Sequence, residues 1–294
     1  MQSYLSVAEI VAACGDGKLS DFVLKDQAAF MEISEEKVFS KMKESFEVMK
    51  NSAAEGLKEG LRSVSDLSGG DGYKMAKFTL TGKTIAGSFC ANATALAVGI
   101  QEYNAAMGKI VATPTAGSCG ILPAGVITMI NEHGISEEDA IMSLFTAGAI
   151  GMVIAQKATV SGAQGGCQAE CGSAAAMTAG ALVEMMGGNA SQVAHAAAIA
   201  LQNLLGLVCD PVAGLVEVPC ILRNGGGIAI AINAADLALA GVESVIPLDE
   251  VISAMGEVGQ AIPESLRETS LGGLAATPTG IAIKERLFGT SKVT

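Results

Sequence analysis

The sequence has no Trp, and aromatic residues of all kinds make up only 4% of its 294 residues. Half of the chain is nevertheless apolar and 36 residues are Gly, so a core of useful size can form. Because large aromatic rings are scarce, that core has to be built from small and aliphatic side chains. Glycine in particular lets two backbones approach closely.

Positive charge is also scarce, with 18 Lys and Arg against 30 Asp and Glu and a net charge of -12. Binding to nucleic acid or to an anionic membrane begins with clustered cations that release counterions. The cations of the first 85 residues alternate with acidic residues, as they do on solvated helix faces. We therefore expect neither nucleic acid nor a membrane as a partner.

Long hydrophobic runs are missing as well, since the best stretch, Met142 to Ala155, is shorter than the roughly 20 residues that a membrane-spanning helix needs. The segment MQSYLSVAEI has neither a basic start nor a long apolar run, so we expect no secretory signal. A cytoplasmic location follows as the expectation. The seven cysteines are then expected to be reduced thiols or metal ligands.

Strand patterns are rare, and only Lys109 to Thr115 has a strand-like composition. We expect an all-α fold with a short N-terminal helical arm in residues 1–65 and an Ala- and Gly-rich helical catalytic domain in residues 66–294. The best candidate linker is Ser63 to Gly72. Helix boundaries are predicted at Ser6, Ser34, Ser136, Asn189 or Ser191, and in a run from Leu248 that Pro263 closes.

The cysteines form no compact C-x2-C pattern of the kind that zinc sites and ferredoxins use. Cys167, Cys209 and Cys220 stand beside Gly or Pro, but their spacing alone does not distinguish metal ligands from buried core thiols. For Cys14 and Cys90 we expect a structural role.

Glycine-rich loops lie between the predicted helices at TPTAGSCG, SGAQGGC and RNGGG, where backbone amides can face a ligand. The first loop, from Thr113 to Gly120, adds two Thr hydroxyls and one Ser hydroxyl. This combination suits a carboxylate ligand, although a capped turn at a helix start has the same composition.

Four segments, taken in order, resemble the α domain of the iron-sulfur L-serine dehydratases. They are ATPTAGSCGILPAG, SGAQGGCQAECGSAAAM, GLVCDPVAGLVEVPCILRN and RETSLGGLA, and they run from about Lys109 to Ala275. The CDPV and VPCI-x-RN blocks are the most specific. The resemblance implies the α subunit of a two-subunit bacterial enzyme that converts L-serine to pyruvate and ammonia.

The resemblance also implies a [4Fe-4S] cluster held by Cys167, Cys209 and Cys220, with one iron open to act as a Lewis acid on the leaving hydroxide. Cys171 is not expected to be a ligand, because single-chain members often have another residue at that position. Cys119 lies in the Thr-rich loop and could touch substrate. The predicted substrate-binding residues are Thr113, Thr115, Gly117, Ser118, Ser161 and Gly162.

The general base is not identified in this chain, since His133 and His195 match no functional motif of the family. The S-S-S-H-T segment of the single-chain enzymes is absent here and belongs to the β chain of two-subunit members. We therefore expect a β subunit as partner, with the base supplied along with it. No cysteine follows Cys220, so the fourth iron position is expected to hold solvent or substrate.

Several alternatives stay open at this stage. Arg223 could interact with the charge of the cluster without being a ligand itself, or it could form a surface ion pair. A cysteine desulfidase is the nearest rival enzyme, and a non-catalytic iron-sulfur or zinc scaffold subunit is the rival of another class. The CDPV and RETSxGGLA blocks favour the serine enzyme.

Overall fold

A computed structural model describes residues 6–289, and this part of the chain folds into thirteen α-helices without a β-strand. The predicted all-α fold is therefore confirmed. The helices are α1 (Val7–Cys14), α2 (Leu19–Met31), α3 (Glu35–Gly56), α4 (Asp71–Thr79), α5 (Gly87–Ala105), α6 (Ile121–His133), α7 (Glu137–Lys157), α8 (Gly162–Gly165), α9 (Ser173–Met185), α10 (Ala190–Gln202), α11 (Cys220–Leu239), α12 (Leu248–Ala261) and α13 (Pro278–Phe288).

The predicted helix starts are confirmed by their caps. Ser6, Ser34, Ser136 and Asn189 each accept a hydrogen bond from the backbone N–H three residues further on. Such a cap satisfies one of the N–H groups that the first turn of a helix leaves unpaired. The run from Leu248 ends at Ala261, just before Pro263, as predicted.

The strand-like segment from Lys109 to Thr115 forms neither strand nor helix, and it leads into a 3-10 turn at Ala116–Ser118. Within residues 6–289, β-type pairing is limited to one isolated bridge between Cys209 and Arg267. The apolar residues of the segment pack on the helices rather than on a neighbouring strand.

Helix α9 forms the centre of the fold and is buried from Ser173 to Glu184. It packs against α6, α7, α10 and α11. Small residues allow this close packing, since a Cβ atom at Gly180 would lie 2.5 Å from the Ile150 side chain and one at Gly125 would lie 2.7 Å from Thr178. The core thus has the small-residue character that the composition predicts.

The first three helices contribute to the same core. Phe46 of α3 is fully buried, and α3 contacts both α5 and α7. The start of α1 is fixed to α12, because Asp249 accepts hydrogen bonds from the backbone N–H groups of Val7 and Ala8. The division of the chain at residue 65 stays a prediction.

Helix α7, which spans Glu137–Lys157, is long and apolar enough to cross a membrane by length and composition. The sequence analysis did not allow for this, because it considered only Met142 to Ala155. In this fold 67% of the most apolar window of α7 is buried inside the protein. A core helix of a compact protein has the same properties.

Candidate active site

The predicted site residues lie on the connections between helices and at the first turn of α11. Between α7 and α9 the chain forms the single turn α8, then Cys167, then a π-helical turn at Gln168–Gly172. Short π-helical turns occur frequently at functional sites. This turn carries Glu170 and Cys171, which are three and four residues after Cys167.

The carboxylate of Glu170 is the point at which three of the connections meet. The Thr115 hydroxyl donates a hydrogen bond of 2.6 Å to Glu170 Oε1, and Cys209 Sγ lies 4.0 Å from Oε2. Two glycines face the same carboxylate, because a Cβ atom at Gly117 would lie 3.0 Å from Oε1 and one at Gly162 would lie 2.6 Å from Oε2. The structure therefore brings together Thr115, Gly117, Gly162 and Cys209.

The sequence analysis assigned no role to Glu170. Burial raises the pKa of its carboxyl group above the usual value, although the hydrogen bond from Thr115 opposes that change. A signal was present in the sequence, since Glu170 is the single acidic residue within the loops TPTAGSCG and SGAQGGCQAECG. Carboxylates with a shifted pKa in such loops are often functional.

The three predicted ligands, Cys167, Cys209 and Cys220, are buried, with exposed fractions of 2%, 3% and 7%. Burial is the main cause that raises the pKa of Cys209 and of Cys220, the latter to about 12, and negative charge on Cys167 and Glu170 adds to it. Ionisation of one of these thiols therefore disfavours ionisation of the others. All three can be thiolates together only if positive charge compensates them.

Cys171 is fully enclosed next to a predicted ligand, with its Sγ atom 3.5 Å from Cys167 Sγ. This contact lowers the pKa of Cys167, and together with burial it holds the pKa of Cys171 well above the usual value. The expectation that Cys171 is not a ligand stays a prediction.

Cys119 also lies in the interior, where its thiol donates to Gln101 Oε1 over 3.1 Å and burial raises its pKa to about 12. Cys14 and Cys90, in contrast, are partly exposed rather than core thiols.

Asn224, one turn after Cys220 on α11, connects two parts of the site. Its side-chain amide donates to the carbonyl oxygens of Gly117 and Cys220, both over 2.9 Å, and its Oδ1 accepts from the N–H of Gly120. A single buried side chain thus fixes the Thr-rich loop against the first turn of α11. The sequence analysis quoted this residue within VPCI-x-RN without a role.

Arg223 forms a buried ion pair rather than a surface one. Its guanidinium group donates to Asp210 Oδ1 and to the Val208 carbonyl oxygen, each over 2.8 Å. The side chains of Arg223 and Asp210 are only 16% and 4% exposed. A surface ion pair is thereby excluded, and an action of Arg223 on the charge of a cluster stays a prediction.

The segment RETSLGGLA packs on the CDPV segment. Asp210 Oδ2 accepts a 2.7 Å hydrogen bond from the N–H of Leu274, and the backbone of Cys209 exchanges hydrogen bonds with Leu266 and Glu268. Gly273 adopts a φ of +59° and faces Asp210 so closely that a Cβ atom would collide with its carboxylate. The two blocks that favour the serine enzyme over a desulfidase are therefore in direct contact.

The remaining predicted substrate residues differ in their surroundings. Thr113 is 4% exposed, and its buried hydroxyl has no hydrogen-bond partner in the part of the chain that the structure describes. The Ser118 hydroxyl donates to the Thr113 carbonyl oxygen and so fastens the loop. Ser161 is half-buried and precedes α8 without capping it.

The two histidines lie outside this cluster of loops. His133 is exposed at the end of α6, where its ring packs edge-on against Phe89. His195 is half-buried on α10, and its Nδ1 accepts a hydrogen bond from the N–H of Ser244. That neither imidazole has a catalytic role stays a prediction.

Residues 5–275 match the family model that describes the serine dehydratase alpha chain. The chain is 49% identical over 271 residues to the "Probable L-serine dehydratase, alpha chain" of Bacillus subtilis (strain 168), which covers 92% of this chain and 90% of that protein. It is 46% identical over 278 residues to the "L-serine dehydratase, alpha chain" of Peptoniphilus asaccharolyticus, covering 94% and 95%. With "L-serine dehydratase 1" of Escherichia coli (strain K12) it shares 44% identity over 183 residues, or 61% of this chain and 40% of that protein.

Proposed function

We propose that this chain, which belongs to the serine dehydratase alpha chain family, is the α subunit of a two-subunit L-serine dehydratase. The enzyme converts L-serine to pyruvate and ammonia. One observation supports this function more than any other. The Thr-rich loop, the Cys167 turn and the Cys209 segment, which lie far apart in the sequence, meet around the carboxylate of Glu170.

The cofactor in this proposal is a [4Fe-4S] cluster held by Cys167, Cys209 and Cys220. Thiolates are the ligands that such clusters take, and all three thiols are buried. Cys209 lies 4.0 Å from Glu170, which belongs to the turn that follows Cys167. Among residues 6–289 no three side chains are arranged to hold a single metal ion. The ligands of a cluster each bind a different iron, so they need not converge on one point. When bound, an open iron supplies a Lewis acid for the departing β-hydroxyl group.

The Thr-rich loop is the proposed site for the carboxylate of serine. The unpartnered hydroxyl of Thr113 is a buried donor that a ligand could satisfy, since a buried polar group without a partner is costly. Thr115 and Gly117 of the Thr-rich loop face the carboxylate of Glu170, and Gly162 faces the same carboxylate. The Thr-rich loop and the turn at Gly162 therefore lie close together as two walls of the proposed site.

A β subunit completes the active site in this proposal. The relatives that cover most of this chain are named alpha chains, which implies a second chain. The contacts of the two histidines described above are with Phe89 and Ser244, which are not predicted site residues. The base that removes the Cα proton is therefore proposed to arrive with the partner.

We propose the cytoplasm as the location of the enzyme. All seven cysteines are free, five of them buried. Thiols persist in reducing compartments, and the proposed cluster requires three of them.

The test is to produce this chain together with its β subunit, purify the complex without oxygen, count iron and sulfide, and assay pyruvate from L-serine and from L-cysteine. We expect about four irons per α chain and faster release of pyruvate from serine. Faster sulfide release from cysteine would indicate a desulfidase. An iron-free active enzyme that carbonyl reagents inhibit would contradict the proposal altogether.

A further inference from the structure

We infer that Glu170 binds the α-ammonium group of the substrate, so that the site discriminates against acids that lack this group. This inference rests on the proposed function and deepens it. It assigns a contact to a residue that the sequence analysis left without a role.

The position of Glu170 is the first argument. Its Oε1 faces Thr115 on the proposed carboxylate loop, and its Oε2 faces Gly162 and Cys209 on the side of the proposed cluster. An α-amino acid carries its carboxylate and its ammonium on the same carbon, so the two groups need neighbouring partners. The leaving group on Cβ then extends toward the cysteines.

The immediate surroundings of the carboxylate are the second argument. Glu170 is only half-buried, so it is not sealed in the core and a small ligand can approach it. The groups that face its oxygens are the Thr115 hydroxyl, the Cys209 thiol and the backbone at Gly117 and Gly162. None of these groups carries a positive charge.

The third argument concerns charge. The nearby carboxylate of Asp210 is already paired with Arg223, and that of Glu268 lies on an exposed residue. Within residues 6–289 Glu170 has no cation at ion-pair distance; it accepts from the Thr115 hydroxyl and has only a long contact with Cys209. A carboxylate has about four acceptor positions, so several remain for the N–H groups of an ammonium ion. The ammonium group would offset part of the cost of burying the Glu170 carboxylate.

The test measures recognition of the ammonium group directly, in the complex with the β subunit and its cluster loaded. L-Alanine has the ammonium and carboxylate groups but no leaving group, and propionate lacks the ammonium. Binding of both compounds is measured by calorimetry for the wild type, Glu170→Gln and Glu170→Asp. Glu268→Gln serves as the matched control, since it removes an exposed charge close to the same site.

We expect the wild type to bind L-alanine more tightly than propionate. Glu170→Gln should weaken L-alanine on the order of 10- to 100-fold and leave propionate unchanged, because a hydrogen bond to a charged group is lost. Glu170→Asp should fall between the two, and Glu268→Gln should keep the wild-type preference. Iron content should be the same in all four proteins.

Three results would overturn the inference. If Glu170→Gln keeps its iron and its preference for L-alanine, Glu170 does not contact the ammonium group. If the turnover of that variant nevertheless falls, Glu170 acts as a base instead. If both Glu170 variants lose their iron, the residue holds the cluster site together instead. If only the Gln variant loses iron, an unchanged preference in Glu170→Asp contradicts the inference. A wild-type complex that holds iron and binds L-alanine but does not dehydrate serine contradicts the proposed function alone.

Discussion

Replacing Asp210 by Asn tests how strongly the buried ion pair with Arg223 holds the active-site segments together. The substitution keeps the shape of the side chain and leaves one oxygen that can accept from the N–H of Leu274. It removes the negative charge that faces a guanidinium group with only 16% of its side chain exposed. Breaking a buried pair by removing one partner costs about 3 kcal/mol at the low end of the usual range.

For a chain of this length, a loss of that size lowers the melting temperature by about 6 °C. The measurement is thermal unfolding of wild type and Asp210→Asn at equal iron content. Asp66→Asn is the matched control, because Asp66 faces Arg62 at 3.8 Å with both side chains more than 60% exposed, and exposed pairs contribute little. If both variants unfold within one degree of each other, the buried pair does not stabilise the fold and the argument from burial is wrong.

Three further predictions follow from the site. The cluster should be lost in each of three variants, Cys167→Ser, Cys209→Ser and Cys220→Ser, because the two remaining thiolates hold it poorly. Cys171→Ser should keep the cluster. Full iron content in any of the first three variants would remove that residue from the ligand set. Gly162→Ala should lower serine turnover at least tenfold, because its Cβ would lie 2.6 Å from Glu170 Oε2 and 3.2 Å from Cys209 Sγ. The control Gly226→Ala on α11, whose Cβ would have nothing within 4 Å, should retain turnover and gain up to about 1 kcal/mol of stability. Equal activities of the two variants would show that the space beside Glu170 is not used. The α subunit alone, with its cluster loaded, should release little pyruvate until the β subunit is added, and full activity of the isolated chain would mean that the base lies in this sequence.

Local features of the fold could be predicted from the sequence because their causes are local. The caps at Ser34, Ser136 and Asn189 act over three residues, and each of them lies where the sequence places it. The apolar run from Met142 to Ala155 was judged too short to span a membrane, whereas the helix that contains it has 21 residues. The segment from Lys109 to Thr115 has a strand-like composition, but within residues 6–289 there is no strand with which it could pair.

The site could be predicted only as a set of segments. Glu170 contacts Thr115 across 55 residues, and Asn224 reaches Gly117 across 107 residues, so neither contact follows from a motif considered by itself. The partner of Arg223 was undecided for a similar reason. Asp210 is near it in the sequence, but only the packed structure shows that the pair is buried.

The contact between Gly99 on α5 and the glycines at positions 56 and 72 has a consequence for motion in this enzyme. Backbone touches backbone there on two sides, so α5 has no freedom to slide or rotate between α3 and α4. Two residues further along α5, Gln101 holds Cys119 of the Thr-rich loop. A movement of this wall of the site would therefore have to disturb the packing of α5 on α3 and α4.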